Sequence, residues 1–112
     1  MKVSVTHARS TEEVVAILDQ PLGALFAGAV GGLEIAEERR SWLGSTMTFS
    51  FIGRVGFISI PLSGIMDVQQ TVVIVEVELP PVVSMFVGEE KVRAGLEKEL
   101  RALVVRGIKL RP

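Results

Sequence analysis

Cysteine and tyrosine are both missing from this sequence of 112 residues, and histidine and tryptophan occur once each. Without cysteine there is no disulfide framework, thiol nucleophile or thiolate zinc site, and a reducing cytoplasm is the expected setting. A single imidazole also argues against histidine-rich metal sites, so neither a metal nor a cofactor is expected. Excess charge of either sign is lacking too: 12 Lys and Arg face 13 Asp and Glu, a formal net charge of -1. That balance gives no electrostatic drive toward nucleic acid or anionic lipid. Long apolar runs are absent. The longest candidate for a membrane span, Pro21 to Leu33, is an uncharged stretch of thirteen residues with four glycines, short of the roughly 20 a spanning helix needs. The opening MKVSVTHARS carries no apolar run of the secretory kind, and the mature chain is expected to start there.

What is present suits one globular domain over residues 1–112, with 48% hydrophobic residues and no repeat or linker. Val3 and Val5 alternate with Ser4 and Thr6, an edge-strand pattern. Ser10 and Glu13 have the capping-box spacing, which starts a helix at Thr11. Apolar residues Val14, Val15, Leu18, Leu22, Leu25, Phe26, Ala29 and Leu33 recur at helical spacing, and Pro21 divides them into two helical pieces. In the second piece Gly23, Ala27 and Gly31, and likewise Ala24, Gly28 and Gly32, form smooth ridges suited to close packing on the domain's own sheet, with Gly31 and Gly32 ending the helix.

Leu33 to Trp42 (LEIAEERRSW) reads as a strand, although its composition also favours helix. Met47, Phe49 and Phe51 point one way from the next strand, and residues 53–56 turn the chain. Ile58, Ile60, Leu62, Met66 and Val68 continue a period of two, with a break or bulge expected around Pro61 to Gly64. Val73, Val75, Val77 and Leu79 make the last strand's inner face. Pro80 and Pro81 open one final helix with the stripe Val82, Met85, Phe86, Val92, Leu96, Leu100 and Leu103, ended near Gly107. Residues 106–112 form a short basic tail. The order is β-α-β-β-β-β-α, an α+β fold: an antiparallel meander sheet with N-terminal and C-terminal helices packed on it, like a reduced helix-grip fold.

Catalytic material is scarce. His7, with Glu12 and Glu13 nearby in sequence, reads as a structural histidine at a strand end. No nucleophile elbow accompanies Asp19 or Asp67, so a serine triad is rejected. Gly28 to Gly32 lacks the lysine and spacing of a phosphate loop, and Gly53-Arg54-Val55-Gly56 joins strands where an RNA-clamping GxxG joins helices. The basic groups Arg39 with Arg40, and Arg106, Lys109 and Arg111, read as solvated surface. No catalytic residue is nominated, and no enzyme is expected.

Charge placement is the anomaly. Between Ser41 and Val75 only Arg54 and Asp67 are charged. The expected outward positions include Ile52, Phe57, Ile65, Val72 and Ile74, a candidate hydrophobic surface. Helices on both faces of the sheet would cover them; otherwise they form an exposed patch.

Trp42 to Phe49 (WLGSTMTF), Gly64 to Val68 (GIMDV), Val72 to Pro80 (VVIVEVELP) and the helix after them resemble the polyhydroxyalkanoic acid system proteins, the granule-region family. The resemblance runs from Trp42 to Val104, with weaker agreement near His7. The chain departs from that pattern in a longer Phe49 to Gly64 segment, in Gln69 and Gln70 replacing an acidic turn, and in a more glycine-rich N-terminal helix. The resemblance implies an accessory role in bacterial storage-polyester metabolism at a granule surface or on a granule protein, and brings no catalytic residue.

Three roles are therefore open. The first is a non-enzymatic accessory protein that rests on a hydrophobic granule through its uncharged sheet face. The second is a binding module enclosing an apolar, acyl-like ligand between sheet and C-terminal helix, with Met47, Phe49, Phe51, Met85 and Phe86 as lining or core; it needs a cavity of roughly 300 Å³. The third is a homodimer joined through the uncharged face.

Overall fold

The computed structural model describes residues 1–86 and 88–105, without the side chains of residues 22, 24, 84 and 86. Strand β1 (Lys2–Thr6) leads into α1 (Thr11–Leu18), where the Ser10 hydroxyl accepts the Glu13 N–H at 3.1 Å and starts the helix as its sequence predicts. Pro21 cannot donate within a continuous helix, so the chain breaks and restarts as α2 (Leu22–Ala29). Four strands follow: β2 (Glu34–Leu43), β3 (Thr46–Val55), β4 (Ile58–Val68) and β5 (Val72–Glu78). Helices α3 (Pro81–Phe86) and α4 (Glu89–Val104) complete the described chain.

The fold is α+β. The sheet is antiparallel and five-stranded, ordered β1-β5-β4-β3-β2, so the N-terminal strand pairs with the last one and the others form a meander. Burial alternates along β1, β3, β4 and β5, and the buried parity carries Val3, Val5, Met47, Phe49, Phe51, Met66, Val73 and Val75. These side chains meet Val14 and Leu18 of α1, Leu25 and Phe26 of α2, and Val92, Leu96 and Leu100 of α4 in one core. The helices thus share one face of the sheet and leave the other to solvent. Among the described residues no helix is long and apolar enough to cross a membrane.

Three sequence expectations are corrected. Strand β4 runs through Pro61 without a break, paired with β3 from Val55↔Ile58 to Thr46↔Asp67. Its pairing with β5 stops at Ser63↔Glu78, so at Pro61 the strand has a neighbour on the β3 side only, where a proline is tolerated. The bulge lies instead in β2: Ala36 pairs with Ile52 and Arg39 with Ser50, so Glu37 and Glu38 together oppose Phe51, and Glu37 adopts φ 52°. The β3–β4 turn is shorter than residues 53–56, with Gly56 at φ 60° and Phe57 at its tip. The final helix is two helices, because Gly88 at φ 85° leaves the helical conformation and stands as the N-cap of α4.

Packing of α2 on the sheet is as expected at Gly23, and α4 is a further neighbour. The small residues of α2 face α4 and β2: a Cβ on Gly95 of α4 would lie 2.8 Å from the Ala29 carbonyl oxygen, and one on Gly23 would sit 3.7 Å from Ile35. Gly31 and Gly32 meet nothing within 4 Å. The basic tail of residues 106–112 lies outside the described residues.

Candidate functional site

His7 is buried and spoken for. Its Nδ1 accepts the Arg9 N–H at 3.2 Å, so Nε2 carries the proton and donates to the Gln69 carbonyl at 2.9 Å. This ties the end of β1 to the β4–β5 turn. Arg9 adds a bond from Nε to the Val104 carbonyl at 2.8 Å, fastening the end of α4 to the same corner. Among the described residues no three His, Cys, Asp or Glu side chains gather to hold a metal.

The sheet's outer face carries four of the five expected surface residues: Ile52, Ile65, Val72 and Ile74. Cross-strand register shows how far they form a patch. Ile65 lies between Thr48 and Glu76, Ile74 between Asp67 and Ser4, and Ile52 between Pro61 and Ala36. Ile65, Ile74 and Val72 are diagonal or next-but-one neighbours and make a small cluster. Ile52 stands apart from them, because Ser50 and Ser63 occupy the intervening row. The face is hydroxyl-rich with apolar islands, and only Ile65 among the four counts as exposed, at 37%. Phe57 is not on this face at all. It projects fully exposed from the hairpin tip, since the turn is two residues long.

The expected ligand lining is also redistributed. Met47, Phe49 and Phe51 are buried in solid core, where the Phe26 ring lies 4.9 Å from Phe51 and 5.7 Å from Phe49 between ring centroids. Met85 is turned outward on α3 at 82% exposure, because that helix ends one residue later and does not continue the α4 stripe. The Phe86 side chain lies outside the described residues.

A cavity does exist, at a corner that the sequence reading did not nominate. It holds about 270 Å³ beside the β3–β4 hairpin, beyond the end of β5. Its floor is Gly53, Val55 and Gly56 of β3 and its turn, with Ile58, Ile60 and Leu62 of β4. Phe26, Val30 and Leu33 close it from α2 and the loop after it, and Leu79, Val83 and Val92 form the remaining wall. Two glycines explain why space remains here. Gly53 occupies an inward position where Met47, Phe49 and Phe51 precede it with large side chains, so the strand's inner face stops filling the core. Gly95, pressed against Ala29, sets the α2–α4 approach close by.

Among the described residues every lining side chain is a hydrocarbon or a glycine hydrogen. An ionised or strongly polar group placed inside would lose its hydration without a partner. Among the described residues the lining holds no side-chain nucleophile, acid or base, so these residues offer shape and apolar surface. Compared with models of known protein families, with curated proteins and with solved structures, the chain finds no match.

Proposed function

We propose that this protein is a non-enzymatic binding module that holds an apolar, acyl-like ligand between its sheet and its helices. The carrying observation is the cavity of about 270 Å³ whose described lining side chains are all apolar. Its size approaches the roughly 300 Å³ at which small-molecule pockets begin. A space of this kind is larger than the void of about 150 Å³ that stays dry and takes up benzene in an engineered core. Retaining it in a small domain forgoes packing contacts, which a ligand restores. The resemblance to polyhydroxyalkanoic acid system proteins supports a hydroxyacyl or polyester context in the cytoplasm for that ligand.

Equilibrium dialysis of labelled octan-1-ol tests the proposal, with wild type beside a Val30→Phe variant that narrows the space. Saturable binding at one site per chain, weakened in the variant, is expected. Absence of saturable uptake by wild type overturns the proposal.

A second reading has its own observation: the sheet face opposite the helices is uncovered and carries Ile65, Val72 and Ile74 together. It supports adsorption to a hydrophobic granule, a granule protein or a second copy of the chain. The interleaved Ser63, Glu76 and Glu78 make that face less apolar than the cavity, which places it second. Co-sedimentation with polyhydroxyalkanoate particles at high salt tests it, and a protein that stays in the supernatant counts against it.

A further inference from the structure

We infer that a second copy of this chain docks on the edge of the sheet, its β2 pairing antiparallel with β2 of the first about a two-fold axis at Arg39. Strand β2 ends the sheet: its one neighbour is β3, and among the described residues no backbone hydrogen bond is made on its other side. Such an edge is a template for one more strand. The residues of β2 are arranged symmetrically about Arg39. Along the ladder with β3, Arg39 lies opposite Ser50, Trp42 opposite Met47 and Ile35 opposite Gly53, so Trp42 and Ile35 each stand three steps from Arg39. The bulge makes the two arms equal, because Glu37 and Glu38 share the step opposite Phe51, while Arg40 takes the step opposite Phe49. Pairing about Arg39 therefore sets Ile35 against Trp42 of the second copy and Glu38 against its Arg40, each twice.

These pairs match in face and in charge. Arg40 and Trp42 stand opposite the buried Phe49 and Met47, on the helix side of the sheet, and Glu38 lies beside Arg40 there, Oε2 to Nη1 at 3.9 Å. Ile35 and Trp42 are only partly buried against the core, and each covers the other across the axis. Arg40 Nη1 is buried without a hydrogen bond among the described residues, and a carboxylate directly across the ladder supplies an acceptor. Bulges and charges ordinarily keep an edge from pairing. On β2, however, Glu and Arg are both present and acid meets base across the axis. Arg39 falls on the axis opposite its own copy, with Glu37 bordering the same groove on the outer face. The register is specific: sliding the second copy by two residues sets Arg40 against Arg40 or Glu38 against Glu38. The two five-stranded sheets join as one, with all helices on one side. The cavity takes no part in this contact.

Sedimentation equilibrium and cysteine cross-linking test the dimer. The chain has no cysteine, so Arg39→Cys introduces a single thiol that meets its own copy in this register, with Cβ atoms about 5 Å apart. Under mild oxidation it is expected to form a covalent dimer at least about tenfold faster than Ser41→Cys, which faces Ala36 of the second copy. Glu38→Arg and Arg40→Glu are each expected to sediment as monomers at about 100 µM, where wild type is dimeric. An equimolar mixture of the two is expected to dimerise again, because both pairs across the axis are then Arg against Glu. Circular dichroism confirms that the variants fold; if a charge variant does not, the two cysteine variants decide alone. A monomeric wild type at that concentration, equal cross-linking of the two cysteine variants, folded charge variants that stay dimeric, or a mixture that stays monomeric overturns the inference.

Discussion

Replacing Val30 by Phe asks whether the cavity is empty space in the folded protein. Val30 lies just past α2 with φ −128° and ψ 109°, an extended conformation that an aromatic residue adopts readily, and its N–H bond to the Phe26 carbonyl is a backbone interaction that survives the change. Phenylalanine adds about 50 Å³ of side chain, and at about 24 cal/mol per Å³ of void removed this stabilises the fold by about 1.2 kcal/mol. Burying roughly 45 Å² more apolar surface at about 25 cal/mol per Å² gives about 1.1 kcal/mol, in agreement. For a domain of this size the gain raises Tm by about 4 °C. Differential scanning calorimetry without ligand measures it, and urea unfolding with an unchanged slope checks that the gain is stability and not altered compactness. In a filled core the same substitution is overpacking and costs about 1–3 kcal/mol. A fall in Tm of several degrees would therefore refute the reasoning.

Other sites give outcomes of opposite sign. Gly64→Ala places a Cβ 2.2 Å from the Glu76 carbonyl oxygen and 2.8 Å from Phe49 Cζ, so the β4–β5 ladder must shift; a loss of about 3 kcal/mol is expected by urea unfolding. Glu37→Gly relieves the left-handed backbone at the β2 bulge and is expected to be neutral or stabilising by up to about 1 kcal/mol, read as Tm. Ile74→Lys, on the open sheet face, is expected to leave octanol binding unchanged and to shift stability by no more than about 1 kcal/mol, and particle co-sedimentation of this variant isolates the second reading.

Much of the fold is legible in the sequence because burial on this sheet follows a strict period of two. Val73, Val75 and Val77 could face only one way, and the Ser10 cap fixed the start of α1. The strand assignment at β2 holds against its helical composition because Ile35, Arg40 and Trp42 extend across from Gly53, Phe49 and Met47 of β3. Trp42 is fixed further by its Nε1–H, which donates to Asp19 at 3.2 Å.

The candidate site was less legible, for a physical reason. Gly53 and Gly64 both interrupt an apolar inner face, and sequence alone treats them alike. The Phe49 ring lies over Gly64 and the Leu33 side chain over Gly53, which also lines the cavity. Which glycine borders the cavity depends on where α2 and the loop after it bring Phe26 and Leu33, a tertiary fact that no local pattern encodes. A single helical stripe through Gly88 places Met85 in the core, whereas the break at Gly88 leaves it exposed on α3. A turn at residues 53–56 puts Phe57 on a strand face, whereas the turn between Val55 and Ile58 puts it at the tip.

The central claim, that the corner beside the β3–β4 hairpin binds an apolar chain, is tested most directly by titrating methyl-labelled protein with decan-1-ol and following methyl resonances by nuclear magnetic resonance. The account expects saturable shifts at Val30, Ile58, Ile60, Val83 and Val92, which line the cavity, with Met47 in the solid core and Ile65 and Ile74 on the outer face unmoved. Unmoved cavity methyls at saturating alcohol, or shifts confined to Ile65 and Ile74, would contradict it.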